Sequence, residues 1–231
     1  MASAQSLKQQ AADQVLNYIQ SGMVVGLGAG STALLAVRGL AGKLSRGELT
    51  DIVGIPCSTV IEAEARRLGI PLTTLEDHLE IDFTFDGADE VDPALNLIKG
   101  GGGALLREKL VAQASRREII IVDESKLSPA LGTHWAVPVE VIPFGWRTQA
   151  RYLESLGAQP RLRPGAGGAP FITDHGNYIL DSAFGPIADP AGLGAQLDAR
   201  TGIVCHGLFL GIADEVIVAG ALGIRCLKRT A

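Results

Sequence analysis

Two apolar periods alternate along the first half of this chain. From Ser3 to Ile19, the residues Leu7, Ala11, Val15 and Ile19 recur at four-residue spacing, the stripe of an amphipathic helix. The period then changes abruptly in MVVGLGAGSTALLAV. A short apolar run (Met23 to Leu27) meets a glycine turn, and Ser31 and Thr32 open a helix-like stretch, so the segment reads strand, tight turn, helix. Asp51 to Pro56 and Thr59 to Leu68 repeat the alternation, with Thr59 and Glu62 at capping-box spacing. Ile70 to Leu75, Ile81 to Phe85 and Leu95 to Ile98 read as further short strands. The helix-like ALLREKLVAQASRR follows, and then a strand from Glu118 to Val122. Strands that alternate with helices predict a parallel sheet covered on both faces.

The texture changes from about Leu131. A strand in Trp135 to Ile142 leads to a helix from Trp146 to Leu156 and a strand from Gln159 to Arg163. A hairpin across Asp174-His175-Gly176-Asn177, a helix near Ala191 to Ala199 and a strand from Ile203 to Leu210 come next. That order is β-α-β-β-α-β, the split βαβ pattern. Glu215 to Ala219 is short and apolar, as a strand returning to the first sheet would be. The expected fold class is therefore α/β: an open, mostly parallel Rossmann-like sheet with an inserted α+β ferredoxin-like domain. Residues 1–131 plus 210–231 are assigned to the first domain and 132–209 to the second.

Composition narrows the function classes. Of 231 residues, 47% are hydrophobic and only 19% charged, which argues for packed cores and against disorder. A net charge of −5 without a basic tract disfavours nucleic acid or an acidic membrane as the main partner, so an anionic ligand must be caught locally. Cys57, Cys205 and Cys226 are odd in number and far apart, which offers neither a disulfide framework nor a zinc spacing. The opening MASAQSLKQQAADQVLNYI carries no apolar signal core and no apolar run is long enough to span a bilayer. The expectation is a cytoplasmic protein.

Two stretches carry candidate chemistry. The turn from Gly28 to Thr32 leaves backbone N–H groups at a helix N-terminus, where the dipole and the hydroxyls of Ser31 and Thr32 favour a phosphate. Gly28, Gly30 and Ala33 also fit the loose dinucleotide pattern G-x-G-x-x-G/A, but Asp51, at the spacing of a ribose-binding acid, precedes its strand instead of ending it. The second stretch, Asp82 to Lys109, packs acids, a lysine and four glycines together. Asp86, Asp89 and Glu108 are candidates for proton transfer and Lys99 for an oxyanion. Gly100 to Gly103 permit close backbone approach and can aim amides at developing charge. Lys8 and Lys126 lie in a first helix and just past a strand end. Asp82, Asp86, Asp89, Glu90 and Asp92 would alternatively supply oxygen ligands to Mg²⁺, a weaker reading beside a lysine and a glycine nest. His78, His134, His175 and His206 are scattered and receive no catalytic role. Cys57, in PCSTV, has no paired histidine by sequence.

These residues carry a resemblance. GLGAGSTA, DGADEVD, KGGGGALLREK, VPVEVIPF, DHGNYILD and GIVCHGLF match, in order and spacing, the blocks of the type A ribose-5-phosphate isomerase family. The resemblance implies interconversion of ribose 5-phosphate and ribulose 5-phosphate through a cis-enediolate, without metal or organic cofactor, in a homodimer or dimer of dimers. It implies that Glu108 shuttles the proton between C1 and C2, that Asp86 and Asp89 assist ring opening and proton movement at the sugar oxygens, and that Lys99 with the amides of Gly101 and Gly102 stabilises the enediolate. It assigns Gly28, Gly30, Ser31, Thr32, Lys8 and Lys126 to the phosphate and sugar. Ala29 departs from the family, which commonly has Thr or Ser there; this implies weaker ground-state binding by the same reaction. Two other readings stand beside it: an NAD-dependent oxidoreductase using Gly28, Gly30 and Ala33, and a non-catalytic sugar-phosphate sensor.

Overall fold

A computed structural model describes residues 3–229. The chain begins with α1 (Ala4–Val15), β1 (Val24–Leu27), α2 (Ser31–Ser45), β2 (Val53–Pro56), α3 (Thr59–Arg67) and β3 (Phe83–Asp86). Next come β4 (Glu90–Val91), β5 (Leu97–Ile98), α4 (Leu105–Gln113), β6 (Glu118–Asp123), β7 (Val137–Val141), α5 (Trp146–Ser155) and β8 (Gln159–Leu162). The last elements are β9 (Tyr178–Ala183), α6 (Pro190–Asp198), β10 (Ile203–His206), β11 (Leu208–Phe209), β12 (Glu215–Gly220) and β13 (Gly223–Lys228).

Two compact units form. The first takes the chain up to Ala88, then Arg107–Lys126, then the chain from Gly211 onward. Its sheet has the order β13-β12-β6-β3-β1-β2. All neighbours are parallel except the edge pair β12–β13. The central β6, sequence EIIIVD, is buried throughout, the near-continuous apolar run expected of a strand covered on both faces. One core joins Val25, Leu27, Phe83 and Ile119 to the inward stripe of α1 (Ala11, Ala12, Val15) and to Ala36 and Leu40 of α2. From β1 the chain winds outward to β2, then returns to place β3 on the other side of β1. The topological switch point therefore lies between β1 and β3, where ligands of open α/β sheets gather at the carboxyl ends.

The second unit comprises Asp89–Leu106 and Leu127–Leu210. Its larger sheet, β10-β7-β9-β8, is antiparallel throughout, and α5 and α6 connect its strands in the ferredoxin-like order expected. Val137, Val139 and Leu180 pack there with Leu153 of α5 and Leu197 of α6. A small sheet, β11-β5-β4, completes the unit.

Several expectations change. Residues 89–106 belong to the second unit because Leu97 and Ile98 pair with Leu208 and Phe209, and Ile98 joins the second core. Residues 127–131 go with them, and Leu131 is part of the same core. Ile70 to Leu75 is not a strand: a single bridge, Gly54 to Leu72, is its ladder contact. Helix α3 is capped by Ser58, whose hydroxyl accepts the Ile61 N–H at 3.1 Å; Thr59 is already helical, so the cap lies one residue earlier than the Thr59/Glu62 spacing suggested. The edge strand β13 was not anticipated; it forms a hairpin with β12 across Ala221 and Leu222.

A polar cluster ties the end of the first helical segment to the sheet. Buried Glu215 on β12 accepts the Tyr18 phenol at 2.8 Å and the Arg117 guanidinium at 3.0 Å. Tyr18 also stacks on Phe83, with centroids 6.1 Å apart. Burial, then the hydrogen bond to Glu215 and its negative charge, push the Tyr18 phenol up to about 12. Folding therefore raises this pKa. Its stabilising contribution is intact below about pH 10, the ordinary tyrosine value, and is lost as pH climbs through the folded value. Thermal unfolding followed from about pH 9 upward should show this alkaline loss, and Tyr18→Phe should flatten the decline.

Candidate active site

The first unit brings the glycine turn and Asp86 together. Gly28 closes β1, and its N–H donates to the Phe85 carbonyl on β3 at 3.0 Å. The approach is so close that a Cβ on Gly28 would lie 2.3 Å from that carbonyl oxygen and 2.5 Å from the Asp86 Cα. No side chain fits there. Asp86, 2% exposed, ends β3. Its Oδ1 accepts the amides of Ala29 at 2.9 Å and Gly87 at 2.7 Å, and its Oδ2 faces the Cys57 thiol at 3.9 Å. Backbone donors thus fix the orientation of this carboxylate, and they include the amide of Ala29, so the loop's departure at that residue leaves this bond intact.

Gly30 is the residue before α2, with φ of 92°, a backbone conformation that suits glycine. No side chain caps this helix N-terminus. Ser31 is exposed and Thr32 buried in the first turn, and Lys8 of α1 donates from Nζ to Ser31 Oγ at 2.9 Å. The uncapped N-terminus of α2, with the Ser31 hydroxyl and the Lys8 ammonium beside it, offers donors that suit an anion. Lys126 is half-buried in a short turn directly after β6. Glu108 lies in the first turn of α4 and is 6% exposed.

The second unit holds the other candidates. Asp89 accepts the Gly101 N–H on Oδ2 at 2.7 Å, and its own N–H donates to the Ile98 carbonyl at 2.8 Å. Lys99 is 2% exposed at the end of β5, with Nζ 5.5 Å from the centroid of the Phe209 ring. Its backbone N–H donates to the Gly207 carbonyl at 2.9 Å. Gly101 and Gly102 are exposed. Of the two glycine amides expected as donors, that of Gly101 is already taken by Asp89.

The remaining acids of the central stretch do structural work. Asp82 accepts the Val24 N–H at 2.9 Å and pairs with Arg116. Glu90 receives the amides of Gly132 and His134 at 2.7 and 2.9 Å. Asp92 closes a turn on Ala94 and Asn96. Among the described residues no group of three His, Cys, Asp or Glu is arranged to hold a metal ion. Asp51 lies before β2, at the amino end of a strand parallel to β1, and so at the opposite edge from Gly28; the acid a dinucleotide site needs beside the glycine turn is not Asp51. Cys57 is packed with Ile55, Ile81 and Val111, and its thiol also reaches Asp86. Nothing local foretells that contact, since it joins two strand ends through the sheet. Arg163 and Phe171, which hold the glycine run, likewise stand in no motif.

A doubly wound α/β sheet whose switch point carries a glycine turn, an uncapped helix N-terminus and a buried, amide-held carboxylate has the features of an enzyme for a phosphorylated small molecule. Comparison with known proteins makes the class particular. Residues 53–223 match the family model of ribose 5-phosphate isomerase A (phosphoriboisomerase A). The ribose-5-phosphate isomerase A of Chloroflexus aurantiacus is 58% identical over 96% of this chain and 93% of its own length. That of Desulfatibacillum aliphaticivorans is 58% identical over 99% of each. Among solved structures, a D-ribose-5-phosphate isomerase in complex with phospho-erythronic acid superposes with a TM-score of 0.97 at 41% identity, covering 99% of this chain and 100% of the other. The Plasmodium falciparum ribose 5-phosphate isomerase gives 0.94 at 43% identity over 98% and 100%. The chain belongs to the ribose 5-phosphate isomerase A family and is an aldose–ketose isomerase.

Gly28→Ala should force the turn away from β3 and disturb Asp86. We expect a loss of about 1–3 kcal/mol of stability in urea unfolding, the scale of overpacking, with turnover falling further than the unfolded fraction accounts for.

Proposed function

We propose that this chain interconverts D-ribose 5-phosphate and D-ribulose 5-phosphate through a cis-enediolate, with its own side chains as the whole of the catalytic apparatus. Glu108 takes the proton from C2 of the open-chain aldose and returns it to C1, while a proton passes between the oxygens on those carbons; the reverse reaction runs the same steps backwards. Asp86 and Asp89 assist ring opening and the movement of protons at the sugar oxygens. Lys99, with the amide of Gly102, stabilises the enediolate oxygen, the Gly101 amide being held by Asp89. The phosphate is held by the Gly28–Gly30 turn, Ser31, Thr32 and Lys8, with Lys126 contributing to the sugar and phosphate contacts. An anchor remote from the reacting carbons turns binding energy into orientation.

What supports this reading is that one unit holds both the uncapped start of α2, with Lys8 bonded to Ser31, and the buried, amide-held Asp86 carboxylate at the carboxyl end of β3. We further propose a cytoplasmic enzyme that works as a homodimer or dimer of dimers on a small sugar phosphate, without nucleic-acid or membrane partners. Among the described residues no helix is long and apolar enough to cross a membrane.

Ribose 5-phosphate supplied to the pure protein should yield ketose, with and without EDTA. Glu108→Gln should lower turnover by roughly 10²-fold or more with the fold intact by circular dichroism; near-normal turnover would remove Glu108 from its role. Lys8→Met should act mainly on KM, raising it about tenfold or more, as expected for loss of a charge-assisted contact to a bound anion.

A further inference from the structure

The glycine run after Lys99 is clamped from one side by a single guanidinium. Arg163 follows β8, and its side chain is 13% exposed. Its Nη1 donates to the carbonyls of Gly100 at 2.9 Å and Gly101 at 3.2 Å. Its Nε donates to Asp181 Oδ2 at 2.9 Å and its Nη2 to Asp181 Oδ1, a two-pronged pair that holds the guanidinium plane. The Phe171 ring lies 5.8 Å from the guanidinium carbon and packs on Gly103, where a Cβ would come within 2.5 Å of the ring. On the other side, Asp89 takes the Gly101 N–H.

These contacts settle the direction of two peptide planes. A trans peptide is planar and points its N–H opposite to its C=O. The Gly100 carbonyl turned to Arg163 therefore sends the Gly101 N–H the other way, to Asp89, as observed. The Gly101 carbonyl, taken by the same nitrogen, sends the Gly102 N–H away from the guanidinium as well. The first plane is also tied by Asp89 and by the Gly103 N–H on the Gly100 carbonyl; in the second, where glycine brings no side chain of its own, the bond from Arg163 restrains the Gly102 amide.

We propose that Arg163 is a positioning residue of the isomerisation: by holding the carbonyl of Gly101 it aims the amide of Gly102 as a preorganised donor for the enediolate charge, while the Gly101 amide is committed to Asp89. The inference rests on the reading of Lys99 and the Gly102 amide as the enediolate-stabilising group. Arg163 touches no substrate in this scheme. It acts only on the orientation of that donor, so its loss weakens binding of the enediolate charge and leaves capture of the phosphate alone.

The test compares Arg163→Lys, Arg163→Met and the double variant Arg163→Leu/Asp181→Leu, which removes the ion pair without stranding a carboxylate. Each is assayed for kcat and KM on ribose 5-phosphate, and for binding of two unreactive probes. One is a sugar-phosphate hydroxamate that mimics the enediolate; the other is ribitol 5-phosphate, which offers the phosphate without that charge. We expect kcat to fall by about 10²-fold with KM changed little, the scale of a small misplacement of catalytic groups, in all three variants. Lysine does not rescue, because one ammonium cannot reproduce the fork. Affinity for the hydroxamate should drop by at least about tenfold while ribitol 5-phosphate binds as before. A double variant with wild-type kcat, or equal losses for both probes, would overturn the proposal and leave Arg163 a structural residue. Lys99→Met, run in parallel, tests the underlying reading separately: if it keeps full activity and hydroxamate affinity, the enediolate assignment fails whatever Arg163 does.

Discussion

The meeting of Gly28 with the end of β3 constrains the whole first unit. A parallel pair of strands brings the two carboxyl ends level, and the absent side chain lets the turn drop onto the Phe85 carbonyl. From that contact the Ala29 amide reaches Asp86, and the chain leaves through Gly30 with its helix N-terminus uncapped by any side chain. The uncapped helix N-terminus and the amide-held carboxylate both follow from one close approach. Any residue bulkier than glycine would separate them.

Backbone amides recur as the means by which this protein holds its carboxylates. Asp86 takes two, Asp89 one, and Glu90 two from Gly132 and His134. Such bonds orient an acid without committing another side chain, so neighbouring side chains stay available for substrate. The acids in this stretch therefore divide by role. Asp82, Glu90 and Asp92 tie turns and strands together, while Asp86 and Asp89 stand beside glycine loops. A run of acids that suggested one metal site in the sequence is two kinds of structural tie and a pair of oriented carboxylates.

Much of the fold was legible from the chain. The change of period at Met23, the glycine turn and the helix opening at Ser31 are written in adjacent residues, and so is the β-α-β-β-α-β order of the second unit. The paired blocks DGADEVD and KGGGGALLREK carried the family resemblance, which comparison with relatives bears out. What was misread was short or shared. Ile70 to Leu75 is apolar enough for a strand but finds a single bridge, and the cap of α3 moved to Ser58 because either hydroxyl satisfies the local pattern and only the chain path chooses.

The sequence by itself indicated most strands and helices and which residues are candidates for chemistry, because periodicity, turn preference and motif spacing act over a few neighbouring residues. Tertiary structure decided which partners those residues meet. Asp86 and the Ala29 amide are 57 residues apart, and Arg163 and the Gly100 carbonyl 63. It also decided that residues 89–106 join the second unit, since Leu97 and Ile98 pair not only with their neighbours Val91 and Glu90 but with Phe209 and Leu208, far along the chain. Contacts of that separation depend on which surfaces exclude water together, and a local pattern of apolar and polar residues does not specify the match.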